Sequence, residues 1–233
     1  MSVIPCHPLL TNEAIFDWYT AKQYIEYCAA IRKAIHQNPD SPEPPDAKFF
    51  RTKFVDEMEP LAKVCQHLFG ADNNESQVRC MDKPLTDGEI IARSGGESVY
   101  VEFTSAKNHR LLDYAYSELK TKGRLISLTF FTDEDVPHLK TFTEDAVEAE
   151  DLGMAAKKHI NSISARIAAK LEKQWPTDRT NWLCIVLDDI TFWPEGIETI
   201  FDEIYRKYRP DLLERSITEL WFVGDQSLKR HSV

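Results

Sequence analysis

PLTDGEIIARSGGESVYVEFTSAK, residues 84–107, is the stretch on which the fold turns. Asp87 opens a short apolar run, Gly95-Gly96 offers a turn, and Val99, Val101 and Phe103 alternate as the buried face of a strand. The same alternation puts Glu102 on the opposite face, beside Tyr100 and Thr104. The segment therefore predicts a hairpin that carries one carboxylate on each of two neighbouring strands. Such a pair suits a hard divalent cation such as Mg2+, which takes a few oxygen ligands and keeps several waters. It marks a candidate site for metal-assisted hydrolysis.

The flanking sequence extends this core in both directions. QVRCM (77–81) reads as a strand ahead of the hairpin. Residues 47–69 read as a helix, apolar at Phe50, Phe54, Met58, Leu61, Val64, Cys65 and Leu68, with Pro60 predicting a kink or restart and Gly70 its close. Downstream, a helix near 108–121 leads to a strand-like RLISLTFF (124–131) and then to an acidic stretch, 132–151, expected as a solvated loop or weak helix. A helix over 155–175 lines up Ile160, Ile163, Ile167 and Leu171, and Pro176 stops it. WLCIVLD (182–188) is apolar almost throughout, as a strand covered on both faces is. A short helix around 195–207 and a last strand over 217–225 complete the series.

Ahead of this core, residues 13–36 predict one long helix with Ile15, Trp18, Tyr19, Lys22, Ile25, Cys28, Ala29, Arg32 and Ile35 at helical spacing. Packing on the main domain is the first use expected of that stripe, and a homodimer surface the second. Four prolines within residues 38–46 make a stiff linker. The chain thus divides into an N-terminal helical extension (1–37), a Pro-rich linker (38–46), an α/β domain with a central mixed β-sheet flanked by helices (47–225), and a short basic tail (226–233).

A chain of 233 residues is long enough to bury a substantial core. Its 38 acidic residues against 28 basic ones give a net charge of −10, which argues against coating nucleic acid through bulk electrostatics. An enzyme with an acidic site and a local basic patch remains compatible with that balance. Five scattered cysteines without a CxxC pair point to reduced thiols. Without an apolar run of about 18 residues or a basic leader, a cytoplasmic address and no membrane partner are expected.

The order helix, strand, strand, strand, helix, strand, with DG on the second strand and VEFT on the third, resembles the core of the PD-(D/E)XK nuclease superfamily, the restriction-endonuclease-like fold, over about residues 47–190. That resemblance implies Asp87 as the motif aspartate and Glu102 as the acidic residue two before the motif lysine. Together they would bind Mg2+ or Mn2+ and position the attacking water for phosphodiester cleavage, with nucleic acid, DNA foremost, as the partner. Glu57 or Glu59 in the preceding helix would match the superfamily's extra acidic ligand, and Glu59 is the one carried into the expected metal set.

The sequence departs from the pattern at Thr104, which stands where the lysine belongs and removes a positive charge from the reacting centre. Some members of the superfamily draw this lysine from the following helix. Lys170, flanking the buried stripe of the 155–175 helix, is the expected catalytic substitute, and Lys107 the other candidate. Without one, the protein would be a degenerate nuclease that binds without cutting.

Each of these residues also has an ordinary use. Asp87-Gly88 serves as a turn dipeptide, alternation alone puts Glu102 on the polar face, and a lysine near a helix C-terminus suits the dipole. Asp188-Asp189 are carboxylates at a strand exit, and His67, His109, His138 and His159 share no ligand spacing. The competing expectation is a non-catalytic acidic interaction or inhibitory protein of a phage or mobile-element system, which the net charge and Thr104 favour.

Overall fold

Period-two apolar patterning builds one mixed sheet in the computed structural model, which describes residues 12–37, 51–93, 95–107, 109–122, 136–139, 152–187, 197–224 and 227–233. Its strands are β1 (Tyr19–Thr20), β2 (Gln77–Lys83), β3 (Thr86–Ile91), β4 (Ser98–Ser105), β5 (Thr180–Val186), β6 (Ile217–Val223) and β7 (Leu228–Ser232), and their order in the sheet is their order in the chain. From β1 to β4 the neighbours are antiparallel; β4, β5 and β6 run parallel; β7 returns antiparallel. The helices are α1 (Asn12–Phe16), α2 (Ala21–Gln37), α3 (Glu59–Phe69), α4 (His109–Lys122), α5 (Val136–Leu139), α6 (Leu152–Leu171) and α7 (Ile197–Glu214).

Alternate residues of the strands feed two cores. Val78, Cys80, Ile90, Val101, Phe103, Cys184 and Trp221 pack against α2 and α3, while Leu183, Ile185, Leu220 and Phe222 pack against α6 and α7. Central β5 supplies both faces, so its sequence is apolar without alternation. The chain is therefore α/β, with a mixed sheet flanked by helices on either side.

The N-terminal segment departs from the single long helix expected. Thr20 and Gln23 form a reciprocal capping box, with Gln23 N–H on Thr20 Oγ1 at 3.2 Å and Thr20 N–H on Gln23 Oε1 at 3.0 Å. This starts a new helix at Ala21 and leaves Tyr19–Thr20 free to pair with β2. Its buried stripe is Ala21, Tyr24, Cys28 and Ile31, turned from the expected Lys22, Ile25, Ala29 and Arg32. These residues are buried within the chain's own core, and the segment forms an edge of the sheet.

Residues Arg51–Met58 wind as a π-helix before α3. Pro60 falls in the first turn of α3, where its missing N–H costs little, and Gly70 closes the helix at φ 79°. α6 ends at Leu171, four residues early, and Trp175 folds back to donate its indole N–H to the Lys170 carbonyl at 2.9 Å. α7 continues to Glu214 despite Pro210. The expected tail instead adds β7, whose Arg230 pairs with Glu219 of β6; charged side chains are a usual guard on such an edge. The expected strand 124–131, Asp188-Asp189 and the linker 38–46 lie outside the described residues, whose helices include none long and apolar enough to cross a membrane.

Candidate active site

The turn between β2 and β3 places Asp87. Leu85 occupies the left-handed region at φ 57°, which a branched side chain adopts only when its surroundings hold it there. Arg179 does the holding: its guanidinium donates to the Leu85 carbonyl at 3.0 Å and to Thr86 Oγ1 at 2.6 Å, and lies 4.3 Å over the Tyr100 ring. Cys80 pairs with Gly88 and Lys83 with Thr86, so Met81 and Asp82 together oppose the single residue Asp87. A bulge of this kind bends its strand and re-aims the side chains around it.

Gly88 lies within β3 and its role is close approach, not a turn. A Cβ there would stand 2.8 Å from Leu61 Cδ2, so the missing side chain lets α3 settle directly on the strand.

Across the hairpin, Glu89 pairs with Tyr100 and Gly88 with Val101; one step further brings Asp87 opposite Glu102, on the same face of the sheet. Asp87 Oδ2 accepts the N–H of Phe103 at 2.8 Å. From α6, which packs on β4, Lys170 donates its ammonium to Glu102 Oε1. Glu102 is only 3% exposed, and its Oε2 is buried with no hydrogen-bond partner among the described residues. A buried carboxylate oxygen left this way is costly.

The electrostatics tie a third carboxylate to this pair. Burial, then the charges of Glu102 and Glu57, push Asp87 up to about 8, against the pull of the Phe103 N–H and Lys170. Burial pushes Glu57 up to about 7, with Asp82 and Glu102 adding to it and Lys53 opposing. Such displaced carboxyls concentrate at functional sites.

The structure thus brings Asp87, Glu102 and Lys170 together, and leaves Glu59 outside. Glu59 pairs with Arg32 of α2, whereas Glu57, in the π-helical turn, is buried and pairs with Lys53. Lys107 places its ammonium 3.4 Å from the Val55 carbonyl, and Thr104 is half-buried. His109 Nε2 stands 3.2 Å from both Asp56 Oδ1 and Ser105 Oγ. Both partners meet one ring nitrogen, so these three do not form a nucleophile, base and orienting acid, which requires both nitrogens.

Lys53 escaped the reading of the sequence. Its signal was the four-residue spacing from Glu57, with the buried Phe54 and Met58 marking which side of the turn faces inward.

The carboxylate oxygens of Asp87 and Glu102 are the kind of donor Mg2+ or Mn2+ takes, and Oε2 of Glu102, without a hydrogen-bond partner among the described residues, is the observation that fits an ion. Among the described residues no group of three or more His, Cys, Asp or Glu side chains could hold a metal ion. No family model, no curated protein and no solved structure matches this chain.

Proposed function

We propose that the protein is a metal-dependent nuclease of the PD-(D/E)XK type, hydrolysing phosphodiester bonds of nucleic acid, with DNA as the first substrate class. The observation that carries this reading is the facing pair Asp87 and Glu102, with Lys170 on one oxygen of Glu102 and its other oxygen without a partner among the described residues. The order α3, β2, β3, β4, then β5 parallel to β4, supports the restriction-endonuclease-like core that the sequence resembles.

Asp87 and Glu102 would hold the cation. When bound, it would lower the pKa of a coordinated water and polarise a phosphoryl oxygen. Lys170 supplies the positive charge that Thr104 lacks, next to Glu102, where it can meet negative charge developing on the phosphate. The Phe103 N–H fixes one oxygen of Asp87 and aims the other.

Titration of Mg2+ and Mn2+ with plasmid and single-stranded substrates tests the reading. Cleavage that disappears in Asp87→Ala together with Mn2+ affinity supports it. No cleavage with either ion, and an Asp87→Ala protein that binds Mn2+ like the wild type, overturns it in favour of the acidic, non-catalytic module.

A further inference from the structure

Asp87 is the residue of β3 without a ladder partner on either side among the described residues: β2 pairs with Thr86 and then with Gly88, and the pairing with β4 stops at Gly88. Toward β4 it is tied by its own carboxylate, on the Phe103 N–H. Its backbone is therefore placed by the turn before it, Lys83 to Thr86.

That turn is set by a residue 93 positions beyond Thr86. Arg179 Nε donates to Asn181 Oδ1 at 2.9 Å, while Nη2 reaches the Leu85 carbonyl and the Thr86 hydroxyl. Asn181 is fully buried, and its amide is anchored in turn on the Pro176 carbonyl at 2.7 Å. Tyr100, on the β4 face that carries Glu102, supports the guanidinium from one side. These acceptors are neutral, so Arg179 contributes the fixed direction of a planar fork. What it opposes is the preference of Leu85, at φ 57°, to leave the left-handed region, a bias of about five- to thirtyfold for a residue with a side chain.

We propose that Arg179 is a positioning residue for the candidate metal site, holding Leu85 in the left-handed region and so setting the turn that aims Asp87 at Glu102. The inference rests on the metal-site reading of those two carboxylates. Arg179 acts through the turn, and touches neither the ion nor the phosphate. Without it, the fraction of molecules with Asp87 in place falls, and metal affinity falls in proportion.

The experiment is a double-mutant cycle on the full chain, read as Mn2+ affinity by calorimetry with MnCl2 alone, with urea midpoints recorded alongside. Its members are wild type, Arg179→Met, Leu85→Gly and the double variant. Glycine adopts positive φ freely and has no need of the clamp. We expect Arg179→Met to weaken Mn2+ binding by about tenfold when Leu85 is present, and by no more than about twofold in the Leu85→Gly background. An arginine that served stability alone would lower the urea midpoint and leave affinity unchanged, or cost the same in both backgrounds. Leu85→Ile keeps the volume, but its β-branch makes the left-handed region still less accessible. It should weaken Mn2+ binding with Arg179 in place, so the inference is decided even where Arg179→Met fails to fold.

Wild type that binds Mn2+ while Leu85→Ile binds it equally well overturns the inference, as does an Arg179→Met loss that is absent or equal in the two backgrounds; Asp87 and Glu102 then stand as a site that does not depend on the turn. Wild type that fails to bind Mn2+ overturns the metal-site reading itself.

Discussion

Lys170 of α6 and Glu102 of β4, 68 positions apart in the chain, meet as an ion pair where the helix crosses the sheet. The side chains are 17% and 4% exposed, so the pair is largely withdrawn from water. Removing one partner strands the other. Lys170→Met should therefore cost about 3 kcal/mol, as breaking a buried pair does, and abolish cleavage as well. Lys170→Arg keeps the charge while exchanging a compact ammonium for a planar fork, and should recover most of the stability but little of the activity. Urea denaturation and plasmid nicking separate the two effects; a Lys170→Met protein as stable and active as wild type would contradict the pairing.

The raised pKa values of Asp87 and Glu57 set a pH dependence with a definite sign. In each the folded state holds its proton more tightly than the unfolded chain, whose Asp and Glu titrate near 4. The stabilisation is full below about pH 4. It is lost as pH rises through about 7 for Glu57 and about 8 for Asp87. In chelator, the urea midpoint should fall between pH 5 and pH 8.5, and Asp87→Asn should flatten most of that fall. With Mn2+ present the trend reverses, because ligands must lose their protons to bind. A midpoint that rises with pH in chelator would contradict the placement of these carboxyls.

Gly88 couples the packing of α3 to the site. Gly88→Ala should cost about 1 kcal/mol, since the contacting atom is the mobile end of Leu61, and Gly88→Val about 3 kcal/mol. The valine variant should also lose Mn2+ affinity, because Gly88 adjoins Asp87 in β3. Equal stability of all three proteins, by denaturant midpoint, would contradict the close approach.

Thr20 offers a control away from the chemistry. Thr20→Ala removes one arm of the capping box and should cost about 1 kcal/mol without changing Mn2+ affinity, since β1 is separated from β4 by two strands. A change in affinity would mean that the sheet edge and the carboxylates are linked more tightly than the contacts indicate.

Much of the sheet was legible because its signals are local. VYVEF alternates, WLCIVL does not, and these two patterns placed the β4 hairpin and the twice-covered β5. Lys170 was legible for a similar reason: it flanks a clean Ile163, Ile167, Leu171 stripe, so its direction followed from helix geometry.

What escaped depended on contacts between segments. The choice between Glu57 and Glu59 turns on the phase of a π-helical winding, which spacing of 3.6 does not anticipate, and Glu59 went to Arg32. The break at Thr20 needed the side-chain pairing with Gln23 to win over a continuous apolar stripe. Strand β7 reads as a basic tail because its pairing comes from β6 and no apolar alternation in its own sequence announces it. Gly88 looked like half of a turn dipeptide until Leu61 was found against it.

Calorimetric titration of Mn2+ into wild type, Asp87→Asn and Glu102→Gln at pH 8 tests the convergence of these two carboxylates most directly. The account predicts a saturable site in the wild type and a loss of at least about tenfold, or 1.4 kcal/mol, in each variant. Binding of equal strength in all three proteins would contradict it.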